Sequence, residues 1–184
     1  MQALKEWAIV CKALEEGRQI VLLRKGGILE YRQGFEVKHD KFLLFPTFEH
    51  QSKDNLQLDY ADKMDDILKD EPASGRNKIS SFARAVDVTE TNDRNMLKSL
   101  SRYHVWNESY VNARMDYNPK KPMSIILLRV FKLDNPILVD NKPEWAGCRS
   151  WIPLDIEASG WPVLDEQQFD RLASEVRGAL SIAI

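Results

Sequence analysis

The sequence predicts one α+β domain of 184 residues, and three observations lead there. Apolar residues recur at helical spacing near both ends of the chain. Between them lie short aliphatic and β-branched runs of the kind that form strands: Gln19 to Arg24, Ser81 to Val88 and Met123 to Leu133. These runs do not alternate regularly with helical stretches, which disfavours a doubly wound parallel sheet. The expected architecture is a single domain over residues 1–184. Its sheet is mixed or mostly antiparallel, open or partly closed into a barrel, and packed with N- and C-terminal helices.

Residues 3–16 predict the first helix, with Leu4, Trp7, Ala8, Cys11 and Leu14 on one face and Gly17 as its left-handed C-terminal residue. Gln19 to Arg24 predicts a strand buried on both faces. Ile28 to Arg32 and Phe35 to Phe45 predict two more, with Gly34 as the turn between them and Pro46 ending the group. Residues 50–78 are polar and acidic, with Leu56, Tyr60, Met64, Ile67 and Leu68 at helical spacing. They predict one surface helix, an excursion from the domain, then a loop through Pro72 to Gly75. Ser81 to Val88 predicts a strand. Thr91-Asn92-Asp93 offers N-caps for a helix through Leu100, and Asn107 can cap another over Glu108 to Met115. Met123 to Leu133 is the longest strand candidate, followed by a loop-rich stretch bounded by Pro136 and Pro143. Asp165 caps a final helix whose buried stripe is Phe169, Leu172, Val176 and Leu180.

Composition excludes several classes. No apolar run approaches the roughly 20 residues of a spanning helix. The start carries an early acid and no long apolar stretch, so a cytoplasmic location is expected. Cys11 and Cys148 lack the close Cys or His partners of a zinc site and are expected to be small core residues; no metal site is predicted. Net charge is −2, but it is segmented: +2 over 1–47, −5 over 48–75, +6 over 76–132 and −5 over 133–184. The basic block could meet a polyanion; the acidic 48–75 segment could meet a protein partner. A solvated surface is the alternative reading of the basic block.

Five loci could carry chemistry. Arg24-Lys25-Gly26-Gly27 ends a buried strand and can offer cations and free N–H groups to a phosphate, although no Walker loop exists. Thr47, Glu49, His50 and Gln51 follow directly on an apolar strand, where folds commonly mount ligand contacts; the alternative is a capped helix start. Arg102, His104, Trp106 and Arg114 interleave cations with aromatics, as phosphate contact plus base stacking requires. Arg149 and Trp151 repeat that pairing. Glu36-Val37-Lys38 is a formal ExK triplet that on a strand would place Glu36 and Lys38 on one face. In PD-(D/E)xK nucleases such a triplet helps to hold Mg²⁺; His50, beside Glu49, could separately act as a general base or half of a metal pair. The upstream acid, for which Glu30 is the nearest candidate, is poorly placed.

Longer strings resemble a known family. ALKEWAIVCKALEEGRQIVLLRKGGI, FLLFPTFEHQ, YHVWNESYVNARM, LLRVFKL and CRSW are similar to the family labelled domain of unknown function 1802, from Leu4 to about Leu180. Some relatives are similar in organisation to fusions with an Mrr-like restriction endonuclease domain. The resemblance thus implies a DNA-linked or defence role; it carries no catalytic residues. The leading expectation is a module that binds nucleic acid or a nucleotide-like anion without a cofactor. A Mg²⁺-dependent nuclease on Glu36 and Lys38 and a non-catalytic protein-interaction domain stay open beside it.

Overall fold

The computed structural model describes residues 1–25, 36–73, 75–147 and 149–182. These form an α+β fold around a seven-stranded mixed sheet that is open, not a closed barrel. The elements in chain order are β1 (Gln2–Trp7), α1 (Ala8–Glu15), β2 (Val21–Arg24), β3 (Lys41–Thr47), α2 (Leu58–Ala61), α3 (Met64–Lys69) and β4 (Arg76–Thr91). There follow α4 (Arg94–Ser99), α5 (Glu108–Tyr117), β5 (Met123–Asp140), β6 (Trp151–Pro153), β7 (Gly160–Pro162) and α6 (Glu166–Ile182). The sheet order is β2-β5-β4-β3-β1-β6, with β7 also paired to β5. Only β1 and β3 run parallel; the other pairs are antiparallel.

The expected helix over 3–16 is half strand. Gln2–Trp7 pairs with β3 on one side and β6 on the other, and the Met1 amino group donates to Leu154 O (2.6 Å) and Ile156 O (3.0 Å). Ala3 and Leu4 are both fully buried, on opposite sheet faces. Long-range pairing on both edges outweighs the helical spacing of this short stretch. Leu4, Phe42 and Leu44 pack into the main core beneath the helices, whereas Ala3, Leu43 and Phe45 pack into a smaller core with Ile79, Phe82 and Trp145. The two-residue period of the strands thus feeds two cores.

Pro46 does not end its strand. The ladder between β3 and β4 stops at Leu43, so Pro46 lies where β3 has only β1 as a neighbour, and no central bond is lost. Likewise Pro136 lies inside β5, where the pairing with β4 jumps from Ile137 to Lys132. The register shift absorbs the missing donor and the strand continues to Asp140. The expected strand from Phe35 begins only at Lys41 among the described residues, and Ile28 to Gly34 and Cys148 lie outside them. The acidic excursion is not one helix but a 3₁₀ turn (Lys53–Asn55), α2 and α3. Its Leu56, Met64 and Ile67 are buried while Leu58 and Leu68 are exposed, so one continuous stripe could not have served it. Gly17 takes the left-handed conformation expected of it (φ 68°). Asp93, Asn107 and Asp165 cap their helices; Asp165 and Gln168 form a reciprocal capping box. Among the described residues, no helix is long and apolar enough to cross a membrane.

The sheet is open but curled. Four strand steps separate β2 from β1, about 19 Å if flat. Yet Arg24 on β2 reaches Glu6 on β1, the Lys5 carbonyl and Ser150 just before β6. Only strong curvature brings these edges within one side chain of each other.

Candidate functional site

The curl brings the last residues of β1, β2 and β3 (Trp7, Arg24 and Thr47) to one cleft of about 360 Å³. Helix α5 forms one wall and the segment before β6 another. Glu6 is buried at the base, its carboxylate accepting from the Trp7 N–H (2.8 Å) and from Arg24 Nη1 (3.0 Å). Arg24 Nη2 donates to Ser150 Oγ (2.7 Å), so the guanidinium ties β2 to both β1 and the segment before β6. Lys5 Nζ donates to Trp145 O (3.0 Å) and Gly147 O (3.1 Å) and lies 3.6 Å from the Glu49 carboxylate. This network fixes cations at a cleft floor while leaving only two carboxylates, Glu6 and Glu49, among the lining residues.

Aromatics supply the rest of the surface. Tyr110 lies 5.2 Å from Trp7 and, nearly parallel, 6.3 Å from Trp106 between ring centroids. Burial pushes the Tyr110 hydroxyl up from its ordinary pKa, with Arg114 nearby pulling the other way. It is therefore a neutral hydrogen-bonding group at physiological pH. Tyr110, Arg114 and Tyr117 recur at spacings of four and three along α5 and face the cleft, while Val111 and Met115 face the core. The Arg114 guanidinium sits 5.3 Å from the Tyr117 ring. Trp106 is 3% exposed, lines the cleft, and has no acceptor for its indole N–H among the described residues. At the rim Glu49 N donates to Thr47 Oγ1 (3.3 Å), which turns the chain out of β3. His50 then takes the left-handed backbone (φ 61°), uncommon for a residue with a Cβ and found preferentially where function holds it. Arg149 is exposed at the opposite rim and in no ion pair among the described residues.

Of the residues singled out in the sequence, Arg24, Thr47, Glu49, His50, Trp106, Arg114 and Arg149 therefore share this one cleft. The others do not line it. Lys25 is buried and donates to Met115 O (2.6 Å) near the C-terminus of α5, where a cation complements the helix dipole; its pKa is lowered by burial and then by Arg114 and Arg94. Gln51 Oε1 accepts from Ile9 N (3.0 Å) and so supplies the cap that α1 lacks in its own sequence. Arg102 pairs with Glu175 on α6 across the surface. His104 is buried, lines a separate cavity beside α4 and α5, and has no partner at hydrogen-bond geometry for either ring nitrogen. Trp151 donates to the Glu36 carbonyl (3.1 Å) and packs edge-on to His39 and Phe42. Glu36 and Lys38 are exposed and precede β3 rather than lying on a strand of the sheet. Among the described residues, no three His, Cys, Asp or Glu side chains are grouped to hold a metal.

Sequence reasoning missed Lys5, Glu6 and Trp7, because a helical reading of 3–16 sends them around a helix rather than to a strand end. Tyr110 and Tyr117 were visible in principle: their spacing with Arg114 marks one face of a helix that was itself foreseen.

No curated protein matches the chain. Among solved structures, the crystal structure of ASCH from Zymomonas mobilis is similar at 14% identity and a TM-score of 0.45, over 94% of this chain and 93% of that one. A mutant of the same Zymomonas mobilis protein is similar at 13% identity and a TM-score of 0.40, over 94% of each chain. A likeness this remote transfers neither residues nor a ligand. The family model described as domain of unknown function (DUF1802) matches residues 3–175, nearly the whole chain, and the protein belongs to that family.

Proposed function

We propose that the cleft binds single-stranded nucleic acid or a nucleotide-like anion. The observation that carries this reading is the convergence of Lys5, Arg24, Arg114 and Arg149 with Trp7, Trp106, Tyr110 and Tyr117 around one concave surface. Cations that track a phosphate backbone, beside aromatic faces on which bases stack, are what strand binding without a fixed sequence requires. The unsatisfied indole N–H of Trp106 is a donor suited to a ligand oxygen. Four cations against two carboxylates give the cleft a positive balance on a chain of net charge −2. A role in restriction or defence would follow from the partner bound and has no support in the cleft itself. The nuclease alternative gains no support, since its triplet lies on no strand of the sheet and is not among the residues that line the cleft.

The test is fluorescence anisotropy with labelled eight-nucleotide RNA and DNA single strands over a salt series. Each phosphate neutralised contributes about 0.7 to the slope of log K against log salt for single strands. Arg114→Ala and Arg149→Ala should each lower that slope by about 0.7. Arg102→Ala, outside the cleft, should leave it unchanged. Absence of binding to either nucleic acid, or an Arg102 effect equal to that of Arg149, would reject the reading.

A further inference from the structure

A second cavity of about 180 Å³ adjoins the cleft. Lys5, Thr47 and Glu49 line both. The walls also run on. Along the exit of β3, His50 lines the cleft and Phe48 the second cavity. Along the facing segment, Gly147 and Arg149 line the cleft, Trp145 and Ala146 the second cavity. Taken as one groove, the two meet at a waist, where Lys5 Nζ is held by the Trp145 and Gly147 carbonyls and faces Glu49.

The far end has its own recognition chemistry. Asn77 is 5% exposed and donates Nδ2 to Pro46 O (2.6 Å), yet its Oδ1 has no donor among the described residues. Lys142 is exposed, with its Nζ 5.4 Å from the Trp145 ring centroid. Arg76 adds a cation, shared with Asp140 (3.2 Å). Over its whole length the groove gathers six cations against three carboxylates, Glu6, Glu49 and Glu71. At 180 Å³ the second cavity falls below the roughly 300 Å³ that a separate small ligand occupies. It suits the continuation of a ligand already seated next door.

We propose that the groove tracks one strand over at least two consecutive nucleotides, the first in the cleft and the next against Asn77, Lys142 and Trp145. This deepens the reading of the cleft as a nucleic-acid site and rests on it. Lys142 meets the phosphate that follows the waist. Asn77 Oδ1 accepts from a base amino group or a sugar hydroxyl, the donors a nucleotide carries and an inorganic polyanion lacks.

The experiment measures binding of adenylate ligands one, two, four and eight nucleotides long, by competition against the labelled eight-mer. Affinity should step up between one and two nucleotides. Lys142→Ala and Lys142→Glu should weaken binding of the two-nucleotide and longer ligands, the first lowering their salt slope by about 0.7, and leave the mononucleotide unchanged. Arg149→Ala should weaken every length. Polyphosphate should bind without sensing Asn77→Leu, whereas the adenylates should lose affinity, with thermal melting confirming that the variant is folded. If the mononucleotide binds as tightly as the eight-mer and both Lys142 variants match wild type, the second subsite is wrong while the cleft reading stands. If wild type binds none of the ligands, both fall together.

Discussion

His104 should make this protein acid-labile, and the size of the effect follows from its surroundings. The imidazole is 3% exposed, and burial lowers its pKa from 6.5 to about 4, opposed only in part by main-chain groups at Trp106 and His104 itself. In the unfolded chain it protonates near 6.5, so as pH falls the unfolded state takes up the proton first and gains. The stability contributed by neutral His104 is complete above pH 6.5, is lost as pH drops toward 4, and falls no further below that. The whole loss is about 3 kcal/mol at 1.36 kcal/mol per pKa unit, of which about 2 kcal/mol is gone between pH 7 and pH 5. Arg94 and Lys98 line the cavity that His104 faces, with Glu108 the carboxylate on that side. The assay is urea unfolding at pH 7.5 and 5.0 for wild type and His104→Phe, with His104→Leu as a second non-titrating variant. The difference between proteins at each pH cancels the titration of all other groups. Wild type should lose about 2 kcal/mol more than either variant, a midpoint shift of about 1 M for a typical slope. Equal losses in all three proteins would refute the burial argument.

Gly160→Ala should be strongly destabilising, because a Cβ there would sit 1.8 Å from the Lys132 carbonyl oxygen and push β7 off β5; thermal melting should show a loss of at least about 1–3 kcal/mol. Asp165→Ala removes the capping box of α6 and should cost about 1 kcal/mol by urea unfolding, with binding unaffected. His50→Gly relieves the left-handed backbone and should not lower the melting temperature, whereas it should weaken strand binding in the anisotropy assay. A variant with lower stability and unchanged affinity would place His50 outside the site.

The helical caps and the apolar stripe of α6 were legible because they are local: the residues that decide them lie within four positions of one another. β1 was not. Leu4 and Trp7 share a helical face on paper, and only β3 and β6, about 40 and 150 residues away in sequence, decide that Gln2–Trp7 is extended. Pro46 and Pro136 misled for a related reason. A proline forbids a central ladder bond, but whether a strand position needs that bond depends on where its neighbour's pairing stops. The cleft shows the same division. Arg24, His50, Arg114 and Arg149 carry visible chemistry, but their convergence depends on a curl that no short segment encodes. Gln51 and Lys25 have suitable chemistry too, and tertiary contacts spend it on capping α1 and α5.

Arg24 ties the site to the fold. Its guanidinium crosses from the sheet edge at β2 to Glu6 and Ser150, so the same bonds that hold the curl also orient a cation toward the cleft. The ion pair with Glu6 is 17% and 6% exposed on its two sides. Removing one partner therefore leaves the other largely desolvated, which costs far more than the pair contributes. A binding defect in an Arg24 variant would consequently not separate ligand contact from loss of the curl. Arg149, at the exposed rim, reports on the ligand alone. A fixed cation at the floor and an exposed one at the rim would suit the proposed ligand: preorganised charge below lowers the ordering required on binding, and exposed charge above speeds encounter.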